Sequence, residues 1–192
     1  RTAKEIASAI WRLALPAACV AWAIFALTRS LGDWAADQKR WDHQSGDFYA
    51  AQGEALIHGI TDPAVSLSMP GESVANALFC QPASPRLQTM ARTVSLFVSI
   101  LLVFGMGSLL HSGLAGGIAA LGASMVLPQS LYSDRWYYDL QVLVVAYALV
   151  WRAQAPSLWR SLVLGLALGS SLLVHSPLCL LPLVLVVCER IA

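Results

Sequence analysis

Asp33, Asp37, Asp42, Asp47, Glu54, Asp62 and Glu72 all fall in one stretch of the chain, residues 29–92. A carboxylate placed against a hydroxyl can take its proton; carboxylates scattered along a hydrated connector do no chemistry and are simply solvated. Asp47 stands apart because its surroundings are ordered. In Asp47-Phe48-Tyr49-Ala50-Ala51-Gln52-Gly53-Glu54-Ala55-Leu56-Ile57-His58-Gly59, residues Phe48, Ala51 and Ala55 share one helical face. Asp47 begins the pattern, where a carboxylate can cap free amides, and Gly59 stands where a left-handed C-terminal glycine belongs. A short helix lying along a membrane surface is expected here.

Further along, His175 lies in an apolar segment and Gln141 lies one residue inside another. An ionisable group in such a segment is a functional candidate by default. The structural alternative for His175 is a neutral imidazole bonded to a carbonyl freed by Pro177, and for Gln141 a hydrogen bond to a neighbouring helix. Asp134 and Arg135 precede Trp136, Tyr137, Tyr138 and Asp139, a cluster of rings and charges that suits a membrane–water boundary. No His, Cys or carboxylate grouping has metal-ligand spacing, and no metal or cofactor is expected. Cys19, Cys179 and Cys188 are in apolar segments and Cys80 is in a polar one, so no disulfide framework is expected.

The elements that must position these residues follow from hydropathy. From Thr93 to Ser133 the chain contains no Asp, Glu, Lys or Arg and a single histidine, His111. A hydrocarbon core about 30 Å thick is crossed by roughly 20 apolar helical residues, so this run holds two spans with His111-Ser112-Gly113 as the bend. Hydrophobic residues make up 57% of the chain and charged ones 12%, with mean hydropathy +0.63. That charged share is about half that of an ordinary globular domain and points to a lipid environment. The net charge of +1 offers no electrostatic case for a nucleic-acid partner.

The expected fold is therefore an all-α integral membrane protein, one membrane domain with about six segments: 6–28, 93–110, 114–127, 138–151, 161–174 and 177–189. Residues 29–92 are expected to form a long extracytoplasmic loop carrying the short interfacial helix. Arg1, Lys4, Arg12, Arg152, Arg160 and Arg190 would share one side, which the positive-inside rule makes cytoplasmic. All the acids except Glu5 and Glu189 would then lie outside. An N-terminus in the cytoplasm and a bacterial inner membrane location are the corresponding expectations. The first residue is Arg1 rather than Met, so the true N-terminus is expected to be trimmed or to lie upstream of Arg1, and the first span reads as a retained helix rather than a cleaved signal peptide.

Three stretches resemble the GT-C class of membrane glycosyltransferases, in particular the mycobacterial-type mannosyltransferases that use polyprenyl-phosphate mannose. Ser45-Gly46-Asp47-Phe48-Tyr49 with Ala55-Leu56-Ile57-His58-Gly59 is similar to their G-D-F-x-x-Y-x-A-x-x-A-L-x-G opening. Asp139-Leu140-Gln141-Val142-Leu143 is similar to their G-Q-V-N-x-L, with Leu143 in place of the asparagine. Gly165-Leu166-Ala167-Leu168-Gly169 followed by His175-Ser176-Pro177 is similar to G-x-x-L-G-x-A…K-x-x-P, with His175 in place of the basic residue. The chain lacks the Tyr-Pro-Pro element and the length of such enzymes, so the resemblance implies their N-terminal half.

The resemblance implies an inverting transfer from a lipid-phosphate sugar to an acceptor hydroxyl on the extracytoplasmic side. Asp47 matches the family's catalytic acid and would take the hydroxyl's proton. Arg86, Arg92 and Arg135 would neutralise the departing phosphate, whose geometry suits guanidinium forks. Tyr49 and the Trp136–Tyr138 rings could stack on the sugar; Asp134, Gln141 and His175 complete the substrate-binding candidates. Each has a plainer reading: Asp47 as a helix cap, Arg86 and Arg92 as anchors among headgroups, Asp134–Arg135 as a surface ion pair, the rings as an aromatic belt. Two other functions fit the chain. One is a non-catalytic integral subunit packed among other membrane subunits; Gly105, Gly107, Gly113, Gly116, Gly117 and Gly122 would permit the close helix approach it needs. The other is a transporter with helices broken around His175, for which no inverted repeat is visible.

Overall fold

A computed structural model describes residues 3–41, 55–56, 58–59, 70–79, 85–127 and 136–172. All its regular structure among these residues is helical: α1 (Ala3–Trp41), α2 (Pro70–Phe79), α3 (Pro85–Leu110), α4 (Gly113–Val126), α5 (Trp136–Gln154) and α6 (Leu158–Leu172).

Two helices are long and apolar enough to cross a membrane. In α1 the window is Arg12–Arg29, 18 residues, about 27 Å at 1.5 Å per residue. In α3 it is Met90–Leu110, 21 residues, about 32 Å. Only 17% and 22% of those windows are buried within the protein. Leu13 is 75% exposed and Leu101 58%. The core helix of a water-soluble domain would be mostly covered, whereas these turn apolar side chains outward all along their length. α4 and α6 are apolar but have 14 and 15 residues, short of the roughly 17 that a lone crossing needs.

The expected connector 29–92 is corrected at both ends. α1 continues to Trp41, α2 forms within the stretch, and α3 starts at Pro85. Apolarity marks where a chain leaves hydrocarbon, not where its helix stops. Residues 33–41 contain neither Pro nor Gly and include Ala, Gln, Lys and Arg, good helix formers in water. Pro70 and Pro85 each occupy the first helical position, where a fixed φ and a missing N–H cost nothing. At the end of the expected interfacial helix, residues 55–56 are helical, and Gly59 N–H donates to the Leu56 carbonyl at 3.1 Å with φ +70°. Gly59 thus adopts the left-handed conformation expected of it, while residues 47–54 of that expected helix lie outside the described residues. The sixth expected span, 177–189, lies outside the described residues.

Packing sets the helix directions. Pro16 of α1 lies against α4 near its start, within 3.1 Å of a Cβ placed on Gly117, and Ala23 and Leu27 further along meet Ala120. Leu96 and Ile100 of α3 complete that core. α1 and α4 thus run the same way, and α3 packs antiparallel on the other side of α4, touching α1 only lightly. Ala91 of α3 and Tyr137 at the start of α5 both pack on Ala75 of α2, and Gly105 meets Tyr147 about three to four turns further along, so α3 and α5 are parallel. α6 returns antiparallel along α5, burying Val145 and Ala148 against Leu164, Ala167 and Leu168. One end of the bundle therefore holds Arg12, the 111–112 bend and the 155–157 connector. The opposite end holds the C-terminal part of α1 and the starts of α3 and α5.

Candidate functional site

Of the sequence candidates, Asp47, Tyr49, Asp134, Arg135 and His175 lie outside the described residues, and Arg86, Arg92 and Gln141 lie toward the opposite end of the bundle. Arg86 is on the first turn of α3. Arg92 is two turns further in and only 9% exposed. Gln141, in the second turn of α5, is 5% exposed. The candidate aromatics Tyr137 and Tyr138 are half-buried on the first turn of α5, with Tyr137, like Ala91 of α3, packed against Ala75 of α2.

Arg92 heads a buried stripe that periodicity alone could have revealed. Arg92, Ser95, Leu96, Ser99 and Ile100 are all covered; their spacing of three and four residues lines one face of α3. The inward face of this apolar helix is thus more polar than its outward face, which shows Val94 and Leu101. Such an inversion is expected where lipid surrounds a bundle and is not expected in water. A guanidinium keeps its charge at any accessible pH, so burying Arg92 requires acceptors or anionic groups around it.

Gln141 has a specific job. Its Nε2 donates to the Ala167 carbonyl at 3.4 Å and to Ser170 Oγ, both on α6. Ser170 Oγ in turn donates to the same Ala167 carbonyl at 3.0 Å. These contacts join two of the resemblance motifs, Asp139–Leu143 and Gly165–Gly169, across the α5–α6 pair. The structural reading of Gln141 as a helix-to-helix bond is the one observed. Ser170 is the partner that the sequence reading missed; its signal was a serine pair, Ser170-Ser171, inside an apolar helix.

At the near end, cations tie the connector. Arg152 Nε donates to Ser161 Oγ at 2.9 Å, and Arg160 Nη1 donates to the Trp151 carbonyl at 2.8 Å with its guanidinium 4.8 Å from the Trp151 ring centroid. Arg160 thereby satisfies a C-terminal carbonyl of α5, where positive charge is also favoured by the helix dipole. Among the described residues no group of three or more His, Cys, Asp or Glu could hold a metal ion. The chain matches no family model, no curated protein and no solved structure.

Proposed function

We propose that this chain is an integral membrane protein of the GT-C glycosyltransferase type, oriented with Arg12, Arg152 and Arg160 in the cytoplasm. Its opposite end would receive a polyprenyl-phosphate sugar outside. The observation that carries this reading is the burial of Arg92 just inside the outward end of an apolar helix. Charge in such a place is expensive, and it is kept where it does work on an ion or substrate. A planar guanidinium matches a phosphate ester through paired hydrogen bonds.

In the reaction, Asp47 accepts the proton of the acceptor hydroxyl as that oxygen bonds to the anomeric carbon. The bond from that carbon to the lipid-phosphate oxygen breaks, and the phosphate leaves with the electron pair. Arg92, with Arg86 and Arg135, offsets the charge that develops on it. The test is transfer of sugar from a polyprenyl-phosphate donor by the full chain in membranes. Replacing Asp47 with Asn is expected to lower transfer by about 10²–10⁴, the usual contribution of a general base, with membrane insertion unchanged. Transfer equal to the parent would remove Asp47 from the mechanism.

A second reading, a non-catalytic subunit of a larger membrane complex, is favoured by α6. Gly165 and Gly169 are exposed, a Cβ on either would meet nothing within 4 Å, and Leu162 and Leu166 beside them are exposed too. Spacing of this kind lets another helix approach closely. Stoichiometric partners that survive mild detergent, with no transfer activity in the parent protein, would establish this reading over the enzyme.

A further inference from the structure

Between α1 and the bend of the α3–α4 hairpin lies a cavity of about 530 Å³, lined by Arg12, Leu15, Pro16, Ser112, Gly113 and Leu114. We infer that it holds one anionic phospholipid, with the lipid phosphate on Arg12 and the upper acyl chain against Leu15 and Leu114. The inference rests on the reading of α1 as a membrane crossing.

Four features combine. The volume falls within the ordinary range for small-molecule sites, about 300–1,000 Å³. Arg12 is the first residue of the apolar window Arg12–Arg29, which puts its guanidinium at headgroup depth when that window crosses a bilayer. Two other arginines at this end, Arg152 and Arg160, are engaged by Ser161 and by Trp151, while Arg12 is exposed and makes no hydrogen bond or ion pair among the described residues. Among the described residues no acid lines the cavity, and Leu13, Leu15 and Leu114 are 75%, 45% and 40% exposed, an apolar border continuous with the cation. One positive group above apolar walls matches a negatively charged head on a hydrocarbon tail. The walls are firm: Pro16 is buried, and Pro16 Cγ lies 3.8 Å from where a Gly113 Cβ would be. The opposing alternative is an Arg12 that merely floats among bulk headgroups.

The test uses the full chain in nanodiscs of phosphatidylcholine with one-tenth phosphatidylglycerol, reading retained lipid by native mass spectrometry. The parent is expected to keep phosphatidylglycerol in preference to phosphatidylcholine. Arg12→Gln should lower that retention by about fivefold, the size expected for one basic residue at an anionic surface. Leu114→Trp, which fills the cavity and leaves the charge, should lower it comparably. Retention unchanged in Leu114→Trp would make Arg12 a non-specific anchor and overturn the site. Arg12-dependent binding of inorganic phosphate in pure phosphatidylcholine discs would overturn the lipid assignment. Failure of every form to enter the discs would instead refute the membrane crossing, and this site with it.

Discussion

The two helical hairpins of this protein are held together by different means. α3 and α4 meet through glycine: a Cβ on Gly107 would lie 2.7 Å from Gly116 Cα, and a Cβ on Gly116 would overlap the Phe104 carbonyl and Ser108 Oγ. α5 and α6 meet through side-chain hydrogen bonds, Gln141 to Ser170 and Ala167 at one end, Arg152 to Ser161 at the other. In a bilayer, which α1 and α3 are long and apolar enough to cross, apolar side chains gain nothing by leaving hydrocarbon. Helices there associate either by bringing backbones close enough for dense packing or by sharing polar contacts. The first hairpin has the tight bend and small residues needed for close approach. The second has a longer connector and bulkier contact residues, and it uses polar side chains.

The largest effect that would test this contrast is expected at Gly116. Gly116→Ala should destabilise the protein by about 3 kcal/mol, the upper end of the cost of overpacking, because the atom it meets is a carbonyl of the neighbouring helix and cannot rotate away. Reversible unfolding in denaturing detergent would measure it, and a loss below about 1 kcal/mol would show that the hairpin is not glycine-closed. Gly105→Ala should cost less, about 1–2 kcal/mol, since it meets only the edge of the Tyr147 ring, Cε2 at 2.6 Å. Tyr147→Leu in the same chain should restore most of that loss; no restoration would mean that the backbone rather than the ring gives way.

For the second hairpin, Gln141→Leu is expected to cost about 0.6 kcal/mol, the average for hydrogen bonds between membrane helices, and at most about 1.7. A double-mutant cycle with Ser170→Ala should show coupling of the same order, and additive effects would detach the two side chains. The smallest change carries the opposite sign. Gly122→Ala, where a Cβ meets nothing within 4 Å, should be neutral or stabilising by up to about 1 kcal/mol, the helix preference of Ala over Gly. If it destabilised as much as Gly116→Ala, glycine would matter in this helix for reasons other than contact.

Much of this contrast was legible beforehand. The bend at His111-Ser112-Gly113 is a polar interruption in an uncharged run; in the structure Ser112 caps α4, its Oγ accepting from Ala115 N–H at 3.3 Å. The glycines of α3 and α4 were legible as a means of close approach, but sequence could not say which of them face a neighbour: Gly107, Gly116 and Gly117 do, and Gly122 does not. The helical continuation of α1 to Trp41 was missed because hydropathy falls there while helix propensity does not. Of the candidate site, Gln141 could be placed near a boundary, but its partners are 26 and 29 residues away, and nothing local identifies them.

What the chain's order of residues determined unaided is its apolar runs and most of its helices. Uncharged runs of the right length, prolines at helix starts and a serine at a bend act through local chemistry and leave their mark in one dimension. Only the tertiary structure decided which face of each helix turns inward. That choice depends on steric fit between segments far apart in sequence, and it is what buries Arg92, Ser95 and Ser99 in the bundle while leaving Leu101 outside.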